Sequence, residues 1–428
     1  MQPQLTKKQI IFLVIAGVLA LVVVLILVGV IPGKRTRQTE VISLEFWGVD
    51  DEEVWKEVLW QFQSVYSAKV SYRQMDKGSY EVDLIKALAA GEGPDIFMLD
   101  NNWLLKHKDT IVPVSQDKLS LATLQNLFPK TVEQDFVLEN RIYALPLYID
   151  TLVLAYNRNH FDQGAIIAPP ATWAELDADI PTLRKLSEGK LERAAFAIGG
   201  SSSSIGNAPD LLNLFLMQSG SEMVSEDLRN VPFGYETGQN ALVRYVSYAN
   251  PNLDVYTWNN NPKNDVDLFA RDNASGIFVY SSQLDDIRSK NALIDVGVGA
   301  MPQVDPEIII NYPDYFGLAV LNRTKDQSAA WDFVIFATTN QINAEQYSQD
   351  TNLPPALRFL IDKKKNDFGK DGILARQALT ARSWFQPDSE LVKDAFNKAI
   401  EAVLSGSLDT DQAFERLRVQ VEDLLIER

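Results

Sequence analysis

Asp100, Asn101, Asn102 and Trp103 follow directly on a run of apolar residues in the stretch GEGPDIFMLDNNWL. A carboxylate accepts hydrogen bonds, a carboxamide donates and accepts them, and an indole offers a flat apolar face with one N–H. Set together at the end of a buried element, these groups can grip a small polar molecule by directed hydrogen bonds and stacking. The plainer reading is local: Asp100 or Asn101 caps a following helix and Trp103 packs beneath it. A second apolar run, EFWG, also ends at an indole, Trp47, with Asp50 and three further acids just beyond.

Periodicity identifies the elements that must hold these groups. Residues 41–48 are β-branched and apolar, and Val54, Val58, Phe62 and Tyr66 recur at helical spacing after acids that suit a helix start. Residues 69–74 alternate like a strand, 79–90 form an amphipathic helix stopped at Gly91, and 95–99 are the next strand. Alternating strands and helices predict parallel strands with right-handed crossovers, so that strand ends share one edge. In open α/β sheets that edge is where ligands bind. Residues 141–157 read as a hairpin-like strand pair around Pro146, and Thr172 with Glu175 has capping-box spacing. Residues 274–287 read as a strand running through Tyr280 and Ser281 into a helix, and the last hundred residues are mostly helical.

Composition narrows the chemistry. The 428 residues, 46% of them apolar, suffice for two domains of ordinary size. A net charge of −17 argues against nucleic acid, whose binding rests on cations that neutralise phosphates. There is no cysteine, hence no disulfide, thiol catalysis or lipid-modified cysteine. His107 and His160 are the only histidines, so neither a His-based metal site nor a catalytic triad is expected, and no cofactor is implied.

Residues 10–31 carry no charged or strongly polar side chain, a length sufficient to cross a bilayer core of about 30 Å as a helix. The expectation is a single-pass anchor over 10–32, with 1–9 before it and a linker over 33–40. A buried soluble helix is the alternative. Lys7 and Lys8 precede the run and Lys34, Arg35 and Arg37 follow it, so charge does not orient it.

The ordered set ALAAGEGPDIFMLD, RIYALPLYIDTLVLAYNRNHF, PPATWAEL, FARDNASGIFVYSSQLDDI, FGLAV with KDQSAAWDFVIFAT, and TNLPPAL resembles the extracellular solute-binding proteins of bacterial ABC importers, especially their sugar-binding, maltose-binding-protein-like branch. The likeness covers nearly everything after residue 40. It implies an α/β fold of two periplasmic-binding-protein-like lobes joined by hinge strands, with the globular part outside the cytoplasmic membrane. Carried over by position, the hinge crossings fall at 148–152, near 261–264 and at 315–318. Lobe one would then hold 41–150 and 262–316, and lobe two 151–261 and 317–428. The partners implied are a small solute, an ABC permease and, through residues 10–31, the lipid bilayer, with the chain a monomer.

A sugar offers hydroxyls and an apolar C–H face, so its binder needs carboxylates or amides together with aromatic planes. Lobe one would contribute Trp47, Asp50, Asp100, Asn101, Asn102 and Trp103, with Tyr148 and Asp150 at the hinge floor. Tyr280, Ser281, Trp258 and Trp384 are the candidates across the cleft. For Trp258 and Trp384, packing is the competing reading. Rival functions are a polyamine or other cation binder of the same fold, a tethered ligand sensor, and a glycoside hydrolase using paired carboxylates, for which no local motif marks a general acid.

Overall fold

The computed structural model describes residues 6–27, 41–260 and 264–426. It divides into two units, 1–42 and 43–428. In the first, Lys7–Leu27 is a helix of 21 residues, and side chains on all its sides, among them Ile11, Phe12, Val18 and Leu21, are exposed. Among the described residues no helix is long and apolar enough to cross a membrane. The end of the expected anchor and the whole linker 33–40 lie outside the described residues.

The second unit is built on two sheets. The first has the order Ala68–Gln74, Ile42–Gly48, Ile96–Asp100, Phe316–Val320, Ala144–Pro146. Ile42–Gly48 and Ile96–Asp100 are parallel, as the alternation of elements predicts, with Trp47 opposite Phe97. Phe316–Val320 then runs antiparallel between Ile96–Asp100 and Ala144–Pro146. Only glycine fits at position 317, where a Cβ would stand 2.8 Å from the Leu145 carbonyl oxygen and 2.6 Å from the Phe136 ring. Helix Glu52–Val65 covers this sheet: Phe46 meets Trp55 edge-on at 4.7 Å, and Phe62 meets Phe333 at 5.2 Å.

The second sheet has the order Val296–Gly299, Asp150–Asn157, Ala274–Tyr280, Lys190–Ala197, Lys185–Ser187. Its core joins Phe196, Phe215 and Phe278 to Phe396, Phe414 and Leu417 of the helices Ser389–Leu404 and Thr410–Ile426.

Strand pairing corrects the expected partition. Residues 262–316 do not belong with lobe one, because Ala274–Tyr280 and Val296–Gly299 both pair with Asp150–Asn157. Nor does everything after 317 lie in lobe two: Phe316–Val320 is central in the first sheet, and helices Gln327–Thr339 and Gln341–Thr351 pack on Glu52–Val65. Lobe one is therefore 43–149 with 315–364, and lobe two 150–314 with 370–426. The apparent hairpin around Pro146 is a crossing, since its two strands enter different sheets. A second crossing runs from Pro313–Asp314, paired with Thr151 and Asp150, into Phe316–Val320. The third, over 365–369, was not expected. Of the crossing expected near 261–264, residues 261–263 lie outside the described residues, and both flanks bond within lobe two, Trp258 to Ser204 and Asp265 to Gly206. Periodicity marks a strand; only non-local pairing decides its sheet.

Candidate functional site

The strand ends of both sheets meet the crossings in one seam. On the lobe-one side, Asp100 closes its strand and its Oδ1 accepts the Asn102 N–H at 2.9 Å. Asn102 Oδ1 in turn accepts from Gln386 Nε2 at 3.3 Å, and the same nitrogen reaches the Tyr312 hydroxyl at 2.9 Å. On the lobe-two side, the Tyr280 hydroxyl donates to Asp210 Oδ2 at 2.9 Å. Asp210 lies in the first turn of helix Ala208–Gln218, where its carboxylate suits the helix dipole. Lys106 ties the lobes at the rim, 2.9 Å from Glu81 of its own lobe and 2.8 Å from Asp388, the N-cap of Ser389–Leu404.

Two acceptors in this seam, Gln386 Oε1 and Asp210 Oδ1, are buried without a hydrogen-bond partner. A buried polar atom left unpaired typically costs ~1–3 kcal/mol, so each favours any ligand that brings a donor. Lys393 supplies the complementary charge. Asp210 is the main influence raising its ammonium above the ordinary value; burial opposes it, and Asp314 and Asp100 add to it. Among the described residues no carboxylate forms a direct ion pair with Lys393, so the carboxylates act on it across space. Burial, then Asp314, holds the Asp100 carboxyl well above the usual carboxylate range, and burial raises that of Asp210. Asp50 is pushed up to about 6 by burial, while its carboxylate accepts from the Tyr347 hydroxyl at 3.0 Å. Tyr347 stacks on Tyr148, ring centroids 6.4 Å apart, and Tyr148 stands in the fields of Asp314, Asp50, Asp150 and Asp100.

The expected site residues divide accordingly. Asp100, Asn102, Tyr148 and Tyr280 lie in or at the seam, with Asp50 linked to it through Tyr347. The others make contacts within the fold, except that the buried Ser281 hydroxyl has no hydrogen-bond partner. Asn101 is fully engaged, its amide donating to Asp135 and accepting from Tyr315 N. Asp135 also receives the hydroxyls of Tyr315 at 2.7 Å and Ser383, and so fixes lobe one to the segment before Ser389–Leu404. Asp150 accepts the backbone N–H groups of Thr151, Ser281 and Ser282 at 2.8, 3.1 and 2.9 Å. It acts as a helix-start acceptor, and the Ser281 backbone is one of its donors. Trp47 donates to Glu45 and lies under the Arg73 guanidinium, 4.9 Å from its ring centre. Trp103 packs between Tyr80 and Phe316. Trp258 and Trp384 are core residues of lobe two, donating to Ser204 at 3.0 Å and Asn213 at 2.9 Å.

Sequence reasoning missed Asp210, Tyr312, Asp314, Gln386 and Lys393. One signal was available for Lys393. With Phe396 and Ile400 it falls on the i, i+3, i+7 positions that its helix buries.

Two α/β lobes are thus joined by three crossings, with hydrogen-bonding groups of both at one seam. The chain belongs to the bacterial extracellular solute-binding protein family, whose model matches residues 48–344. It is 20% identical to a Brucella abortus binding protein over 347 residues, 79% of this chain and 81% of the relative. It is 22% identical to the maltotriose-binding protein of Pyrococcus abyssi over 297 residues, 68% of this chain and 61% of the relative. The cyclic α-maltosyl-1,6-maltose binding protein of Arthrobacter globiformis has a similar fold, with a TM-score of 0.75 and 15% identity over 90% of this chain and all of that one.

Proposed function

We propose that the chain holds a sugar or oligosaccharide in the seam, as the extracytoplasmic binding component of an ABC import system. The observation that carries this reading is the convergence of two unpaired buried acceptors, Asp210 Oδ1 and Gln386 Oε1, on a seam that also holds Lys393. Sugar hydroxyls donate to such acceptors and accept from an ammonium, while Tyr148 and Tyr280 supply rings for the C–H face. The names of the maltotriose and cyclic maltosyl-maltose binders point to the same ligand class. Contacts from both lobes form together only when the lobes close, so ligand shifts the hinge toward closure by its differential affinity. The closed form then delivers its ligand to a permease. The apolar helix Lys7–Leu27 overlaps the uncharged sequence run 10–31, which supports reading this segment as a tether that keeps the chain at the membrane as a single-pass monomer.

The cluster of Asp50, Asp100, Asp210 and Asp314 favours a second reading, a polyamine ligand. Lys393 weighs against it, because a resident ammonium already answers these carboxylates and repels another. Calorimetric titration of the full chain with malto-oligosaccharides, other oligosaccharides and spermidine separates the two. Saturable sugar binding that Gln386→Leu weakens about tenfold supports the proposal. Binding of spermidine with no response to any sugar overturns it, and hydrolysis of an oligosaccharide would place the chain among enzymes.

A further inference from the structure

Lobe two carries a cavity of about 360 Å³ lined by none of the seam residues. Its walls are mostly apolar, with Met301, Ile309, Ile373 and Leu379 among them, and its volume is within the range of small-molecule sites.

The polar groups that line it are engaged, with one exception. Gln303 Oε1 accepts from Ile310 N at 2.9 Å and from Gln218 at 3.1 Å. Gln377 donates to Thr151 Oγ1 and the Leu152 carbonyl and accepts from Met301 N. Asn311, fully buried, donates its Nδ2 to Thr380 Oγ1 at 2.8 Å. The Thr380 hydroxyl hydrogen points elsewhere, to the Gln377 carbonyl at 3.2 Å. Thr380 must therefore accept from Asn311, which fixes the orientation of the amide and leaves Asn311 Oδ1 with no partner. Its backbone is held as well, N–H to the Thr380 carbonyl and C=O from Arg382 N, so the side chain cannot be carried elsewhere by a local backbone turn.

We infer that this cavity is a binding site for a small, largely apolar, neutral molecule with one N–H or O–H donor, of the indole or phenol class, whose donor meets Asn311 Oδ1. A sugar does not fit, since one free acceptor would leave most of its hydroxyls unpaired among apolar walls. An ammonium does not fit either, because the only charged lining residue is Arg376, which donates to the Lys365 carbonyl. Ile309, 46% exposed at the cavity, loses contact with water when the site fills.

The test uses the full chain, with indole and 1-methylindole as probes in calorimetric or saturation-transfer titrations. Indole should saturate the site, and 1-methylindole, which lacks the donor, should bind about tenfold more weakly. Asn311→Leu should abolish that preference. Ala300→Phe, placed on an exposed lining residue, should block both probes while leaving the melting temperature unchanged. Absence of saturation by indole, equal binding of the two probes, or indole binding undiminished by Ala300→Phe would overturn the inference. If Asn311→Leu does not fold, the probe pair on the native chain and on Ala300→Phe decides the matter.

Discussion

Lobe two and the seam both bury aromatic and polar side chains, but they complete them differently. In lobe two, Trp258 and Trp384 sit at 1% and 3% exposure, and each indole N–H meets an oxygen of its own lobe. In the seam, Asp210 and Gln386 are buried too, and each keeps an acceptor without a donor. Single unpaired atoms also occur elsewhere, at Asp265 Oδ2 and Trp331 Nε1. Convergence distinguishes the seam: acceptors, tyrosines and one lysine from separate elements face the same space. Burial of an aromatic is thus weak evidence of a site, whereas incomplete groups from separate elements that converge on one seam are strong evidence.

Four changes break or sharpen this contrast. Trp258→Ala should cost about 3–5 kcal/mol of stability, read from denaturant unfolding, because it opens a cavity in a packed core. Ligand affinity of the remaining folded protein should hardly change; a large loss of affinity would move Trp258 into the site. Asp210→Asn should do the reverse, weakening sugar binding by about 1.5–3 kcal/mol, the worth of a hydrogen bond to a charged group, with only a small change in melting temperature. A drop in stability with unchanged affinity would make Asp210 a structural residue. The third concerns pH. Burial raises the Asp135 carboxyl to about 7 in the folded chain, so between roughly pH 4 and pH 7 the folded chain holds a proton that the unfolded chain releases. Its contribution is complete below the unfolded value and is lost as pH rises through the folded one, with a slope of up to about 1.4 kcal/mol per pH unit. Asp135→Asn should flatten that slope in unfolding free energies measured from pH 4 to pH 8. The smallest effect belongs to Trp47→Phe, which removes the Glu45 hydrogen bond and weakens the stacking under Arg73. It should cost no more than about 1–2 kcal/mol of stability and leave ligand affinity unaltered.

Local elements were legible in the sequence because their signals are local. The apolar spacing of Glu52–Val65, the Thr172 cap that accepts Glu175 N at 3.2 Å, and the strand Ile96–Asp100 all stand where periodicity and capping chemistry put them. Sheet membership was not legible. The strand at Phe316–Val320 has the same apolar character whichever sheet it enters, and only its pairing with Leu99 and Leu145 through Gly317 and Leu318 decides. The candidate site was half legible for a related reason. Asp100, Asn102 and Tyr280 flank strand ends and so announce themselves. Lys393 and Asp210 reach the seam from helices, where a charged residue usually signifies solvent or a helix terminus. Composition does not reveal that Glu45, Ser204 and Asn213 occupy the N–H groups of Trp47, Trp258 and Trp384.

The position of Phe316–Val320 in the middle of the first sheet governs the timing of assembly. Among the described residues Ala144–Pro146 has no neighbour in that sheet other than this strand, although it is synthesised some 170 residues earlier. A growing chain therefore carries an incomplete sheet until residue 320 has left the ribosome, and the other lobe waits still longer for its last two helices. Lobe one therefore has its whole chain by residue 364, ahead of lobe two, and a fragment cut at the crossing between Pro313–Asp314 and Phe316–Val320 inherits two unfinished cores instead of one finished domain.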